Sequence, residues 1–318
     1  MILAGDIGGT NTRLCLFDGS KKVGEEKKYQ SQKYQSLEAI VREFLGSQKV
    51  ERGCFGVAGP VRDGKSKVTN LTWTVDVTAI SKAFQIPNVY LLNDLEANAY
   101  GLKALSKEEL FLLHEGKKQV GNRALIAAGT GLGEAGLFWN GKEHIPFACE
   151  GGHTDFAPRD SKEIELFIYL QKKFGHVSYE RVVSGPGLQN IFQFLVDTGK
   201  ELWTTDVKEA MREKEPARVI SEWGRSGKDK ACTQALDWFI SLYGAEAGNM
   251  ALKFLALGGF YVGGGIAPHL TDKMRKGTFF SSFIGKGRFD ELLSSIPIWV
   301  VMNDNAALLG AAYYAAKR

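Results

Sequence analysis

The sequence predicts an α/β protein built from two related domains. Three observations carry that expectation. Apolar strands alternate with helical stretches along the chain. One pattern occurs twice, beginning at Ile2 and again at Ala124: a strand, a glycine turn holding threonine, a second strand, then an Asx-Gly turn. The chain has 318 residues, enough for two cores. Because the repeated unit is a hairpin rather than a strand–helix crossover, each domain should open with antiparallel strands, with a cleft between the two. The boundary is expected near residues 102–106.

Taken in order, residues 2–4 and 13–17 read as strands around a glycine turn, and Asp18-Gly19 is a hairpin-type turn. A third strand follows at 23–29. Residues 36–44 have helical spacing, with Leu37, Ile40, Val41 and Phe44 on one face. Residues 53–57 form a buried strand that ends in Ala58-Gly59-Pro60, and 89–92 a strand that runs into Asn93-Asp94. A helix is expected from 95 to 105. The pattern restarts with a strand at 124–128, the turn 129–133, a strand at 136–139 and Asn140-Gly141. Helical stretches follow at 162–174, 187–197, 207–212 and 230–255. Strands at 260–262 and 298–301 flank a glycine-rich turn, and a helix of small residues from 305 to 316 ends the pattern.

Composition excludes several classes. Forty basic and 36 acidic residues give a net charge of +4, too mild for a nucleic-acid or membrane partner, and no basic cluster carries interleaved aromatics. Cys15, Cys54, Cys149 and Cys232 show no C-x-x-C spacing, so no zinc site is expected and the thiols read as reduced and cytoplasmic. The first residues lack a signal-peptide pattern. The longest apolar stretch, 254–268, contains five glycines and falls short of the roughly 20 residues that span a bilayer.

Three glycine turns suit phosphates. In Asp6-Ile7-Gly8-Gly9-Thr10-Asn11-Thr12, glycines let consecutive N–H groups approach an anion, threonine hydroxyls add donors, and Asp6 supplies a carboxylate for Mg²⁺. Gly129-Thr130-Gly131-Leu132-Gly133 repeats the logic, and Gly263-Gly264-Gly265 leaves room for a flat ring or a sugar. The competing readings are plain tight hairpins and, for the third, a close backbone crossing. Gly131, Gly133 and Gly136 also satisfy G-x-G-x-x-G, but residues 137–141 read as strand and turn, which excludes a dinucleotide fingerprint; no P-loop occurs either.

Polar residues at strand ends suit a sugar. Asn93-Asp94 follows a strand directly, where Asp94 can accept a hydroxyl proton while Asn93 orients the same substrate, or where either residue simply caps the next helix. In Glu150-Gly151-Gly152-His153 the glycines argue for a loop, where a buried acid and imidazole would suit vicinal hydroxyls, or where the segment is simply a surface turn. Glu180 and Asn70 carry little signal alone. Asp155, His114, His144, His176 and His269 read as structural or surface residues.

Together these segments, with Thr69-Asn70-Leu71-Thr72-Trp73, the run Glu150 to Pro158, residues 180–187, Gly263 to Pro268, Lys286-Gly287-Arg288-Phe289 and Asn303-Asp304-Asn305, resemble the bacterial glucokinase family over nearly the whole chain. The Glu-Gly-Gly-His-x-Asp-Phe-Ala-Pro run is the specific part. The resemblance implies an actin-like ATPase fold: two ribonuclease-H-like domains around an ATP cleft, as a cytoplasmic homodimer. It implies a small domain of residues 1–103 completed by the C-terminal helix 303–318, and a large domain of 104–302. It assigns Asp94 as catalytic base for the glucose 6-hydroxyl. Asn93, Glu150, His153 and Glu180 would bind sugar hydroxyls, with Asn70, Gly59 and Pro60 at the sugar site. ATP would lie among Asp6, Gly8, Gly9, Thr10, Asn11, Gly129, Thr130, Gly131, Gly133, Gly263, Gly264 and Gly265, with Mg²⁺ near Asp6 through water. Relatives often carry Cys before the proline of the 58–60 turn, and this chain does not. Other readings are a broader hexokinase, another phosphoryl donor such as ADP or polyphosphate, a non-catalytic sugar sensor, and an actin- or heat-shock-type ATPase, which would lack the Glu-Gly-Gly-His segment.

Overall fold

Period-2 apolar segments pair locally at the N-terminus of the computed structural model, which describes residues 1–69 and 71–318. Strands β1 (Ile2–Ile7), β2 (Asn11–Asp18) and β3 (Lys21–Gln30) form an antiparallel meander. The turn between β2 and β3 uses Gly19 at φ +57°, a conformation that costs glycine little. Helix α1 (Leu37–Leu45) starts where Ser36 caps it and buries Leu37, Ile40, Val41 and Leu45, so the expected helix is present one residue on. Then β4 (Arg52–Val57), a small hairpin of β5 (Lys65–Lys67) and β6 (Thr74–Asp76), helix α2 (Val77–Phe84), β7 (Asn88–Asn93) and helix α3 (Asp94–Gly101) complete the first series. The sheet order is β3-β2-β1-β4-β7, with β1, β4 and β7 parallel.

Helix α3 ends at Gly101, four residues short of the expectation, because the C-terminal helix (Ala306–Lys317) crosses it there. A Cβ on Gly101 would strike the Ala306 carbonyl, and one on Gly310 the Ala97 carbonyl. The small-residue pattern of the last helix is thus a close crossing; even one added methyl there should cost about 1–3 kcal/mol.

After one additional strand, the second series repeats the hairpin and parallel strands of the first. It runs β8 (Leu110–His114), β9 (Arg123–Ala128), β10 (Leu132–Trp139), β11 (His144–Cys149), α4 (Ser161–Phe174), α5 (Gly185–Asp197), α6 (Thr205–Glu213), α7 (Pro216–Ser226) and α8 (Lys230–Lys253). Strand β12 (Phe260–Gly263), short helices α9 (Thr271–Met274), α10 (Thr278–Ile284) and α11 (Asp290–Ser294), and β13 (Ile298–Val301) follow. The sheet order is β11-β10-β9-β12-β13-β8, again an antiparallel hairpin followed by parallel strands. Helix α8 is buried along most of its length, and α10 lies against it where Gly244 and Gly248 leave no room for a Cβ beside the Phe279 and Phe283 carbonyls.

The chain divides into two compact units: Met1–Glu109 with Pro146–Ala148 and Asn303–Arg318, and Leu110–Ile145 with Cys149–Met302. No helix among the described residues is long and apolar enough to cross a membrane.

Candidate active site

In the first unit the β1–β2 turn is closed by its own backbone, Gly8 N–H donating to Asn11 O at 2.9 Å. Ser31 braces it from β3's end, its N–H on Thr10 O at 2.9 Å and its hydroxyl on Gly8 O at 2.8 Å. Thr10 is exposed and Gly8 and Gly9 half-buried, so the turn's outer face is open to a ligand. Asp6 lies opposite Arg13 across the hairpin. Burial raises the Asp6 carboxyl to about 6, Arg13 opposes that rise, and Glu26 and Asp304 add to it. Arg13 is held by Asp304 at 2.9 Å and by Asn305 Oδ1 at 2.8 Å, so the Asn303-Asp304-Asn305 segment belongs to this hairpin.

At the end of the parallel strands, Asn93 closes β7 and caps α3: its Oδ1 accepts the Leu95 N–H at 2.9 Å and the Glu96 N–H at 3.3 Å. Its Nδ2 donates to Gly59 O at 3.2 Å. The capping role is therefore real, and it also ties down the turn ahead of Pro60. Gly59 has φ +140°, and a Cβ there would meet Lys67 O at 2.8 Å. Asp94 opens α3, half-buried, with its Oδ1 accepting the Leu95 N–H at 2.9 Å. Pro60, Lys67, Val68, Thr69, Leu71 and Thr72 line an open depression of about 680 Å³. Asn70 falls outside the described residues.

In the second unit the two other glycine turns meet. Gly264 has φ +81°, and a Cβ on it would run into Ala128 O, so this glycine serves the close crossing of β12 and β9. At Gly129 and Gly265, by contrast, a Cβ would touch nothing within 4 Å among the described residues. Gly185, at the start of α5, donates to Gly129 O at 2.8 Å, and Gly129 donates to Gly131 O at 2.9 Å.

Glu180 joins this turn to the acid–imidazole loop. Its Oε2 accepts the Leu132 N–H at 3.0 Å, and its Oε1 stands 4.0 Å from His153 Nδ1. A Cβ on Gly131 would meet that carboxylate at 2.6 Å, which accounts for the glycine. Gly151 and Gly152 lie flat on β10: a Cβ on either would collide with Glu134 Oε2 or with Leu132 O. The sequence pointed to a buried Glu150 and His153; both are exposed. The glycines bury the loop's backbone instead and leave the two side chains free to meet a ligand. Asp155 pairs with His176 at 2.9 Å on the surface, His114 Nε2 bonds Ser294 O at 2.7 Å and stacks on Phe280, and His144 Nε2 bonds Gly121 O at 3.0 Å, all structural roles.

Sequence reasoning passed over Glu134 and Glu246, two buried acids beneath this loop. Their signal was present: a glutamate directly after Gly133 on a strand, and another inside the small-residue run Gly244-Ala245-Glu246-Ala247-Gly248.

Two sheets that share an order over five strands, the second extended by β8 and each holding a glycine hairpin, together with an acid–imidazole loop, define a sugar kinase of the actin-like ATPase fold. The family model described as glucokinase matches residues 3–318. Glucokinase of Trichormus variabilis is 40% identical, the match covering 100% of this chain and 99% of that one. Glucokinase of Shigella dysenteriae is 35% identical, over 97% and 95%. The crystal structure of a glucokinase from an Antarctic psychrotroph superposes with a TM-score of 0.85 at 30% identity, over 100% and 99%. The chain belongs to the glucokinase family.

Proposed function

We infer that the chain transfers the terminal phosphoryl group of ATP to the 6-hydroxyl of glucose, giving glucose 6-phosphate and ADP. The observation that carries the reading is the double engagement of Glu180, one oxygen on the Gly131–Leu132 turn and the other beside His153. A phosphate-type turn and a hydroxyl-binding cluster thereby share one carboxylate.

Phosphoryl transfer asks the protein for an aligned hydroxyl and neutralised charge rather than covalent chemistry. Asp94 is the proposed base that accepts the 6-hydroxyl proton, with Asn93 fixing the strand end from which it projects. Glu150, His153 and Glu180 are the proposed ligands of the sugar hydroxyls, with Asn70, Gly59 and Pro60 completing the sugar site. Backbone N–H groups of Gly8, Gly9, Gly131 and Gly133, with the hydroxyls of Thr10 and Thr130, would hold phosphate oxygens. Asn11 keeps the first turn closed. The open faces at Gly129 and Gly265 suit the rest of the nucleotide.

Mg²⁺ fits Asp6. That carboxyl is desolvated beside Arg13, with Glu26 and Asp304 as negative neighbours, and no cluster of three His, Cys, Asp or Glu residues competes for a metal among the described residues. A single carboxylate, with phosphates and water as the other ligands, is what Mg²⁺ commonly takes. When bound, the ion neutralises charge on the transferring phosphoryl group. A cytoplasmic homodimer belongs to the same reading. The glucokinase match runs through the acid–imidazole loop and favours neither a sugar sensor nor an ATPase.

The test is a panel of glucose, mannose, fructose and glucosamine against ATP, ADP and polyphosphate. Glucose-dependent ADP release from ATP, faster than with the other sugars, is expected. ATP turnover indifferent to sugar contradicts the reading.

A further inference from the structure

Glu134 stands on β10 opposite Ile126 and is 2% exposed; Glu246 stands on α8 and is 0% exposed. The two carboxyls lie within hydrogen-bonding reach of each other. Oε1 of each is buried and receives no N–H or O–H from the described residues. Lys253 Nζ is 3.6 Å from Glu246 Oε1, beyond a hydrogen bond. The other Glu246 oxygen accepts the Asn249 amide at 2.8 Å. That amide also donates to Tyr179 Oη at 2.9 Å, and its carbonyl takes Lys286 Nζ at 2.6 Å.

Two ionised carboxylates in such a place would bury like charges side by side, offset only from the Glu246 side by Lys253 and Lys286, and leave Glu134 Oε1 without a donor. One proton between them removes one charge and supplies the missing hydrogen bond. This pair lies directly under the sugar loop. Gly151 rests on Glu134 Oε2 with no side chain between, and Cys149 Sγ donates to Glu134 O at 3.5 Å. Through Asn249 the same network reaches Tyr179, the residue before Glu180.

We propose that Glu134 and Glu246 share one proton and that this acid pair positions the Glu150–His153 loop, so that loss of the proton weakens glucose binding. The inference rests on Glu150 and His153 being sugar ligands. Burial, then the Glu246 charge, raises Glu134 to about 8 against the pull of Lys253. Burial raises Glu246 as well, against Asn249, Lys253 and Lys286. The other groups facing the network are Tyr179, Tyr243 and Cys149, all pushed up by burial, with Glu150 beside Cys149 and Arg159 beside Tyr179. Lys286 is drawn down by burial and is a competing titration that the variants must separate.

The experiment is calorimetric titration with glucose at pH 7 and pH 9 on the wild type, Glu134→Gln and Glu246→Gln. A glutamine carries the donor that the shared proton supplies and keeps the same net charge at both pH values. Wild-type affinity should fall roughly 5-fold to 150-fold at pH 9, the cost of one unsatisfied buried group. Each variant should bind as the wild type does at pH 7 and change less than twofold at pH 9, with the KM for ATP unmoved. A flat wild-type profile overturns the proposal, and so does a variant that keeps the wild-type pH dependence, since Lys286 or another group would then be responsible. If neither variant folds, amide exchange of Gly151 and Gly152 in the wild type decides: protection must drop between pH 7 and pH 9 beyond the intrinsic rate, and unchanged protection sinks the idea. Glu150→Ala at pH 7 separates the two levels. Unchanged glucose affinity there removes the sugar-ligand reading and the acid pair's role with it. Weakened affinity beside a flat wild-type profile removes the acid pair alone.

Discussion

The hairpins that open the two units share a backbone and differ in where they carry charge. Counted from the turn, β1–β2 has rungs Ile7–Thr12, Asp6–Arg13 and Gly5–Leu14; β9–β10 has Ala128–Leu132, Ala127–Gly133 and Ile126–Glu134. The first hairpin is charged at its second rung and dry at its third, where Leu14 is 0% exposed. The second is neutral at its second rung and places an acid at its third. The repeat therefore carries the fold, and the rungs where it departs from itself carry charge: a carboxylate and guanidinium beside the first turn, a buried acid beneath the acid–imidazole loop in the second.

In the proposed function the base Asp94 stands in the first unit and the acid–imidazole loop that grips the sugar in the second. Asp94→Ala should sharpen that contrast most, lowering kcat by about 10²–10⁴-fold, the usual share of a general base. Glucose affinity by calorimetry should stay within a few-fold; near-normal turnover would remove Asp94 as base. Leu14→Glu would break the rung pattern by burying an acid with no partner in the Ile7, Leu14 and Phe55 cluster. It should lose about 3–5 kcal/mol in denaturant unfolding. Wild-type stability in that variant would mean that the two third rungs are interchangeable.

Gly151→Ala sets a methyl against Glu134 Oε2. Relief by loop displacement should cost about 1–3 kcal/mol, read as a raised KM for glucose with the KM for ATP unchanged. An unchanged glucose KM would show that the loop does not lean on the acid. The last effect is in pH-dependent stability. The Glu134 carboxyl is raised in the fold from 4.5 to about 8, so the folded chain holds a proton that the unfolded chain releases. That stabilisation is fully present below pH 4.5 and is lost as pH rises toward 8, with a slope of at most about 1.4 kcal/mol per pH unit. The melting temperature of the wild type should therefore fall relative to Glu134→Gln over that window; parallel curves would contradict the shared proton.

The α/β class and the doubled hairpin were legible because their signals are local: period-2 apolar runs, glycine turns and Asx-Gly closures. The positions of Asn93-Asp94 at a strand end were legible for the same reason. Elements fixed by tertiary contact were not. Strand β11 carries Pro146 and sits at a sheet edge, where pairing rather than pattern makes the strand. Helices α9, α10 and α11 have four, seven and five residues, too short for a period to show. Helix α7 did announce itself, with Glu215 as cap, Pro216 at its start and Val219, Ile220 and Trp223 at helical spacing, yet the reading passed over it. The early end of α3 depended on Gly310, more than two hundred residues away. At the site, the acid–imidazole loop was legible as a motif but not as an exposed one. Glu134 was hidden because nothing along the chain shows that Glu246 comes to face it.

The terminal phosphoryl group of ATP has one predicted destination, the glucose 6-hydroxyl. Phosphorus-31 NMR of the purified chain with glucose, ATP and Mg²⁺ follows it directly. The prediction is a single sugar phosphate with phosphorus on O6, appearing in step with ADP. Inorganic phosphate with glucose untouched, or phosphorus on another oxygen, would contradict it.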